Sequence, residues 1–166
     1  MRAVSAWRVL AVVLGCVLIV LCACGSESAC GPSAGVVSRV IDGDTVVLQS
    51  GERVRYLLVD TPESTGGKHE CFGAESRDFN RSLVEGRVVR LRYGEACTDR
   101  YGRLLAYVSV DGQEVNALLA ERGYACVLYI APAGESRRSE FQSLESSARR
   151  AGRGMWGECS SVPCEK

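Results

Sequence analysis

Ile41-Asp42-Gly43-Asp44-Thr45-Val46-Val47-Leu48, then Gln49-Ser50-Gly51-Glu52, then Arg53-Val54-Arg55-Tyr56-Leu57-Leu58-Val59-Asp60-Thr61-Pro62-Glu63: this stretch decides the fold. Apolar, β-branched runs on either side of a Gly-containing turn predict a β-hairpin. Asp44 opens the second strand of the chain and Asp60 closes the third. A hairpin brings such ends together, so two carboxylates can face one hard cation. Pro62 stops the strand and leaves Glu63 on the adjoining loop. Arg55 adds a planar cationic fork suited to phosphate. Singly these fragments are ordinary. Asp-Gly is a common turn, and Asp60-Thr61-Pro62-Glu63 also reads as a helix cap with Pro at the first helical position. Together they point to metal-assisted phosphodiester chemistry.

Upstream of the hairpin, Val36–Ile41 reads as a first strand. Downstream, Ser64–Glu70 is a polar loop, Ala74–Leu83 has helical spacing, and Val88–Tyr93 alternates as a half-buried strand. Glu95–Arg103 reads as a polar turn and Leu104–Val110 as a strand. Val115–Arg122 is a short amphipathic helix ended by Gly123. Ser136–Ala151 carries Phe141, Leu144, Ala148 and Ala151 on one helical face. Three strands, a helix, two strands and further helices predict a mainly β fold. The plan is a five-stranded OB-type barrel with about three α-helices packed outside. Strands and helices do not alternate regularly, which excludes a doubly wound sheet.

The front of the chain is of another kind. Arg2 and Arg8 precede an apolar run from Val9 to Leu21, followed by Cys22-Ala23-Cys24. The run is too short for a comfortable membrane span. A basic start, a short apolar core and small residues read as a secretory signal. Leu21-Cys22-Ala23-Cys24 resembles a bacterial lipobox, so residues 1–23 are expected to be a lipoprotein-type signal. Cys24 is then the lipidated residue, with a tether over 24–35. The alternatives are ordinary cleavage near Ala23, giving a secreted protein, or an uncleaved anchor. The main domain is expected over 36–157, with a Cys-bearing tail over 158–166.

Removing 1–23 leaves 18 basic and 20 acidic side chains. That balance excludes a nucleic-acid binder working by bulk charge. His69 is the sole histidine, so a catalytic triad has no base. Cys30, Cys71, Cys97, Cys126, Cys159 and Cys164 remain after the signal and Cys24. Six cysteines in an exported domain imply disulfides, and the lack of paired C-x-x-C argues against zinc. Cys71 and Cys97 lie on loops near the acids and are expected to pair. Cys159 with Cys164, and Cys30 with Cys126, complete that scheme.

From about Val36 to Trp156 the chain resembles the staphylococcal (micrococcal) nuclease family. The motifs that carry the resemblance are Ile41-Asp42-Gly43-Asp44-Thr45, Arg55 to Glu63, Phe72-Gly73-Ala74-Glu75 and Thr98-Asp99-Arg100-Tyr101-Gly102-Arg103. Val115-Asn116, Gly123-Tyr124-Ala125 and Gly154-Met155-Trp156 also fit. The resemblance implies an OB-type barrel and a calcium-dependent endonuclease on DNA and RNA, leaving 3′-phosphate and 5′-hydroxyl ends. By position, Asp44 and Asp60 would bind Ca²⁺ through carboxylates and Thr61 through its carbonyl. Glu63 matches the general base, and Arg55 and Arg103 match the phosphate-binding arginines. Tyr101 and Tyr129 match aromatic residues near the nucleotide; where a second tyrosine is expected after Tyr129, this chain has Ala131. Two other classes remain open: a non-catalytic single-strand-binding OB domain on a lipid anchor, and a disulfide-stapled structural lipoprotein.

Overall fold

A computed structural model describes residues 30–164. The expected signal segment 1–23 and Cys24 lie outside the described residues. The hairpin forms where the sequence puts it. β1 (Ala34–Asp42) pairs with β2 (Thr45–Leu48), and β2 pairs with β3 (Arg53–Tyr56), Thr45 opposite Arg55. Val37, Val46, Leu48, Val54 and Tyr56 are buried between these strands and the helices.

Two longer strands complete the barrel. β5 (Val88–Thr98) pairs with β1 and with β6 (Leu104–Val110). β6 then returns to β3 in parallel, Arg55 opposite Leu105. The order β3-β2-β1-β5-β6 therefore closes on itself as a five-stranded barrel, the OB-type plan. β7 (Gln113–Glu114) adds to the far side of β6. α1 (Gly73–Val84), α2 (Val115–Glu121) and α3 (Arg138–Arg150) pack outside, and α4 (Met155–Glu158) is a single turn. Val84, Leu119, Phe141, Ala148 and Met155 are among the fully buried residues through which they meet the body.

The run Arg53–Asp60, expected as one strand, is two. β3 stops at Tyr56, Leu58 takes φ 63°, and β4 (Val59–Asp60) turns away to pair with β8 (Cys126–Val127). Asn116 holds the break. Its buried amide donates to the Leu57 carbonyl at 2.9 Å and the Ala106 carbonyl at 3.2 Å, while its oxygen accepts the Val108 amide at 2.8 Å. The polar turn also proves shorter than expected. β5 bends between Tyr93 and Thr98 and continues, so that Thr98 lies opposite Leu104.

The disulfides join Cys30 to Cys97, Cys71 to Cys159 and Cys126 to Cys164. None of the expected pairings forms, Cys71–Cys97 included. Pro32 and Ser33 continue alongside β5, accepting the Tyr93 hydroxyl and the Leu91 amide at 2.8 Å each, and this carries Cys30 to Cys97. The tail beyond α4 folds back and meets Cys71 first and Cys126 second. The crosslinks span 67, 88 and 38 residues. On the chain-entropy model loops of that length are worth up to about 4–5 kcal/mol each. Cys30 and β1 thus bring the later part of the 24–35 stretch into the domain, and the tail is pinned at Cys159 and Cys164. Among the described residues no helix is long and apolar enough to cross a membrane.

Candidate active site

A cleft of about 880 Å³ opens between the β2–β3 hairpin, the loop after β4, the β5–β6 turn and the segment after β8. Asp44 is fixed at its floor. Its carbonyl accepts the Tyr56 amide at 2.9 Å, which holds it against β3. One carboxylate oxygen accepts the Thr45 hydroxyl at 2.9 Å. The other accepts the Thr61 amide at 2.9 Å and the Thr61 hydroxyl at 3.2 Å, and lies 3.2 Å from Arg55 Nη2. Burial of this charge is tolerated because both oxygens are partnered. Thr61 reaches it across Gly43, where a β-carbon would sit 2.7 Å from the Thr61 side chain.

Asp60 is more open, its side chain 40% exposed, and accepts the same Arg55 Nη2 at 2.7 Å. Arg55 is in turn held through Nη1 on the carbonyls of Tyr56, at 2.9 Å, and Val59, at 2.5 Å. One guanidinium nitrogen therefore stands between both acids, which places their oxygens around a single point. The β3–β4 break makes this possible, because it turns Val59 and Asp60 back over Arg55.

Glu63 follows Pro62 on the loop. Partial burial pushes its carboxyl above the ordinary range; Asp42 adds to this, Lys68 opposes it, and Asp44 and Asp60 add again. Its backbone is held on both sides by one residue. The Glu63 amide donates to a Glu70 carboxylate oxygen at 2.8 Å, and its carbonyl accepts the Glu70 amide at 3.0 Å. Gly73 packs against it so closely that a β-carbon would lie 2.6 Å from the Glu63 carbonyl oxygen.

Arg103 enters from the opposite wall. Asp99 accepts its amide at 3.0 Å and its Nε at 2.7 Å, and accepts the Tyr101 amide at 2.9 Å. Burial works against the charged form of Asp99, but these bonds prevail and hold its carboxyl below the usual range. Tyr101 is 65% exposed at the rim, with the Arg100 and Arg103 guanidiniums 4.8 and 5.5 Å from its ring centre.

Arg55, Glu63, Arg103, Asp44, Asp60, Thr61 and Tyr101 thus line one cleft. Tyr129 does not. Its ring packs under Arg138, 4.5 Å from the guanidinium carbon, and a hydrogen bond with Glu135 raises its hydroxyl pKa. Leu128, Ile130 and Pro132 line the wall instead, so that side of the cleft is aliphatic. The sequence reading gave no role to Asp42, Asp99 or Glu70. Asp42 is buried and accepts the Gly43 amide and the Ser64 and Thr65 hydroxyls. Burial raises its carboxyl pKa, the Ser64 hydroxyl opposes, and Asp44 adds. The Asp42-Gly43-Asp44 spacing is the signal that could have found it, and the four-residue step from Asp99 to Arg103 the signal for Asp99. Nothing local marks Glu70.

Residues 53–158 match the Staphylococcal nuclease homologue family. Endonuclease YncB of Bacillus subtilis (strain 168) is 36% identical over 129 residues, covering 74% of this chain and 61% of that protein. An "Uncharacterized endonuclease" of Escherichia coli O157:H7 is 34% identical over 140 residues, covering 81% of this chain and 84% of that one. An uncharacterized protein of Bacillus anthracis is 36% identical over 128 residues, with coverage of 74% and 60%. The chain spans about three-fifths of the length of the two Bacillus relatives. It belongs to the staphylococcal nuclease homologue family. Asp44 precedes the matched segment, and its place in the site rests on the geometry above.

Proposed function

We propose that this protein is a calcium-dependent endonuclease, a phosphodiester hydrolase that cuts DNA and RNA to leave 3′-phosphate and 5′-hydroxyl ends. The observation that carries the reading is the convergence of Asp44, Asp60 and Arg55 in one cleft with Glu63 and Arg103. A pure binding module has no use for a buried Asp44 bridged to Asp60 by one arginine with a third carboxylate in the same cleft. The relatives named as endonucleases support the same class.

The donor set suits a hard cation with oxygen ligands. Among the described residues no group of three or more His, Cys, Asp or Glu converges on a metal position. A cation here would rest on the Asp44 and Asp60 carboxylates and the Thr61 carbonyl, with water completing the shell. That sparse oxygen set fits Ca²⁺ better than Mg²⁺, which needs a stricter octahedron. Ca²⁺ held there would supply charge neutralisation at the phosphate and would orient water. Glu63 would act as the general base toward the attacking water. Its place in the cleft beside the acids puts a carboxylate where a general base is needed. Arg103, aligned by Asp99, and Arg55, aligned by the Tyr56 and Val59 carbonyls, bind the phosphate and stabilise the charge that grows on it. Neither serves as a proton donor, because a guanidinium pKa exceeds about 12.

We place the protein in the cell envelope, exported and held to a membrane by lipid on Cys24. The lipobox-like Leu21–Cys24 motivates this, and three disulfides among residues 30–164 suit an oxidising compartment. The test of the chemistry is simple. The mature protein is incubated with plasmid DNA or with RNA in Ca²⁺, with and without chelator, and the product ends are analysed. Cleavage that needs Ca²⁺ and yields 3′-phosphates supports the reading. Nucleic-acid binding without cutting in any divalent ion overturns it in favour of the binding module.

A further inference from the structure

Accepting the reading of Glu63 as general base, we propose that Glu70 is its positioning residue, and that Glu70 is itself fixed by the Cys71–Cys159 disulfide. A general base displaced by about 1 Å loses on the order of 10²-fold in rate. Thr61 on one side and Ser64 and Thr65 on the other anchor the near end of the loop that carries Glu63, to Asp44 and Asp42 respectively. Among the described residues, the return limb toward Cys71 has no such anchor of its own before Glu70. Gly66, Gly67, Lys68 and His69 are exposed, and no large apolar side chain anchors the tip. Glu70 adds the hold on the Glu63 peptide itself. It grips the Glu63 peptide at two points, accepting its amide at 2.8 Å with the carboxylate and donating its own amide to the Glu63 carbonyl at 3.0 Å. Two bonds of opposite sense to one residue fix its rotation as well as its distance.

The grip is referred to the body of the protein by covalent means. Glu70 adjoins Cys71, which is bonded to Cys159. The Cys159 amide donates to the carbonyl of Met155, whose side chain is fully buried. On the same side the Glu70 carbonyl accepts the Gly73 amide at 3.0 Å, at the start of α1. The path from core to base therefore runs Met155, Cys159, Cys71, Glu70, Glu63. The absent β-carbon at Gly73 leaves room for the Glu63 carbonyl at its end. A turn-stabilising acid with no bearing on the base is the competing account.

Two substitutions separate geometry from charge. Glu70→Gln keeps an oxygen that accepts the Glu63 amide but loses the charge. Glu70→Asp keeps the charge but is one methylene too short to reach. Cleavage is measured at saturating Ca²⁺, and exchange of the Glu63 amide proton is followed in the same proteins. We expect Glu70→Asp to lower kcat by about 10²-fold, the cost of a misplacement near 1 Å, with KM little changed and the Glu63 amide deprotected. Glu70→Gln should stay within a few-fold of wild type with that amide protected. Cys71→Ser combined with Cys159→Ser should lower kcat in the same way as Glu70→Asp. Wild-type kcat in Glu70→Asp, equal losses in the Asp and Gln variants, or unchanged Glu63 protection overturns the proposal. If wild type itself does not cut, the nuclease reading fails, while the amide exchange still decides whether Glu70 holds Glu63.

Discussion

Arg55→Ala removes the cation that stands between two acids, and the structure sets the size of the loss. Asp44 is not orphaned, because the Thr45 hydroxyl and the Thr61 amide and hydroxyl stay in place. The carbonyls of Tyr56 and Val59 lose the Nη1 donor. Asp60 is open enough for water to replace its share of the pair. Breaking a fully buried ion pair costs about 3–5 kcal/mol, whereas an exposed one is worth about 0–1 kcal/mol. The mixed burial of this triad, with the Tyr56 and Val59 carbonyls left short of a donor, places Arg55→Ala at about 2–3 kcal/mol, from the Asp44 side and from those carbonyls. For a domain of this size that corresponds to a fall in Tm of roughly 10 °C. The assay is thermal unfolding of the oxidised protein in chelator, followed by circular dichroism. Saturating Ca²⁺ should raise the Tm of the variant more than that of wild type, because a second cation then meets the acids. A variant Tm within about 2 °C of wild type in chelator would refute the coupling of Arg55 to a buried Asp44.

Three further outcomes are expected. Asn116→Ala should cost about 2–4 kcal/mol in denaturant unfolding, because the Leu57 and Ala106 carbonyls and the Val108 amide lose a buried partner. Glu95, pulled down to about 2 chiefly by the Gly134 amide, binds the segment after β8 to β5. Its folded pKa is depressed, so its contribution is present above the unfolded value and fades as pH falls toward 2; Glu95→Gln should flatten the acid limb of a stability–pH curve, and an unchanged limb contradicts the assignment. Cys24→Ala should move the protein from the membrane fraction to the medium or stall its processing, whereas wild type found wholly in the medium without lipid by mass spectrometry removes the anchor.

The barrel and the placement of Arg55 beside Asp44 could be read from local pattern, since alternating apolar residues and a Gly-containing turn set Arg55 opposite Thr45. What could not be read depends on distant partners. Apolar periodicity runs unbroken from Arg53 to Asp60, yet the strand breaks at Leu58 because Asn116 binds the Leu57 carbonyl. Polar residues made 95–103 look like one turn, but cross-strand pairing of Thr98 with Leu104 carries β5 through it. Cysteine spacing holds no connectivity, and the path of Pro32 and Ser33 beside β5 decided where Cys30 went. Tyr129 was drawn from the cleft by Arg138 and Glu135, neither of which its neighbours in sequence reveal. Glu70 escaped notice because its role lies in a bond to the backbone of Glu63, which no side-chain pattern encodes.

The central claim is that Glu63 is the base in a cation-dependent cleavage. Glu63→Gln, compared with wild type at saturating Ca²⁺, tests it most directly. Isothermal titration should show unchanged Ca²⁺ and substrate-analogue affinity, while kcat falls by about 10²–10⁴-fold. Cleavage by Glu63→Gln at the wild-type rate would contradict the account.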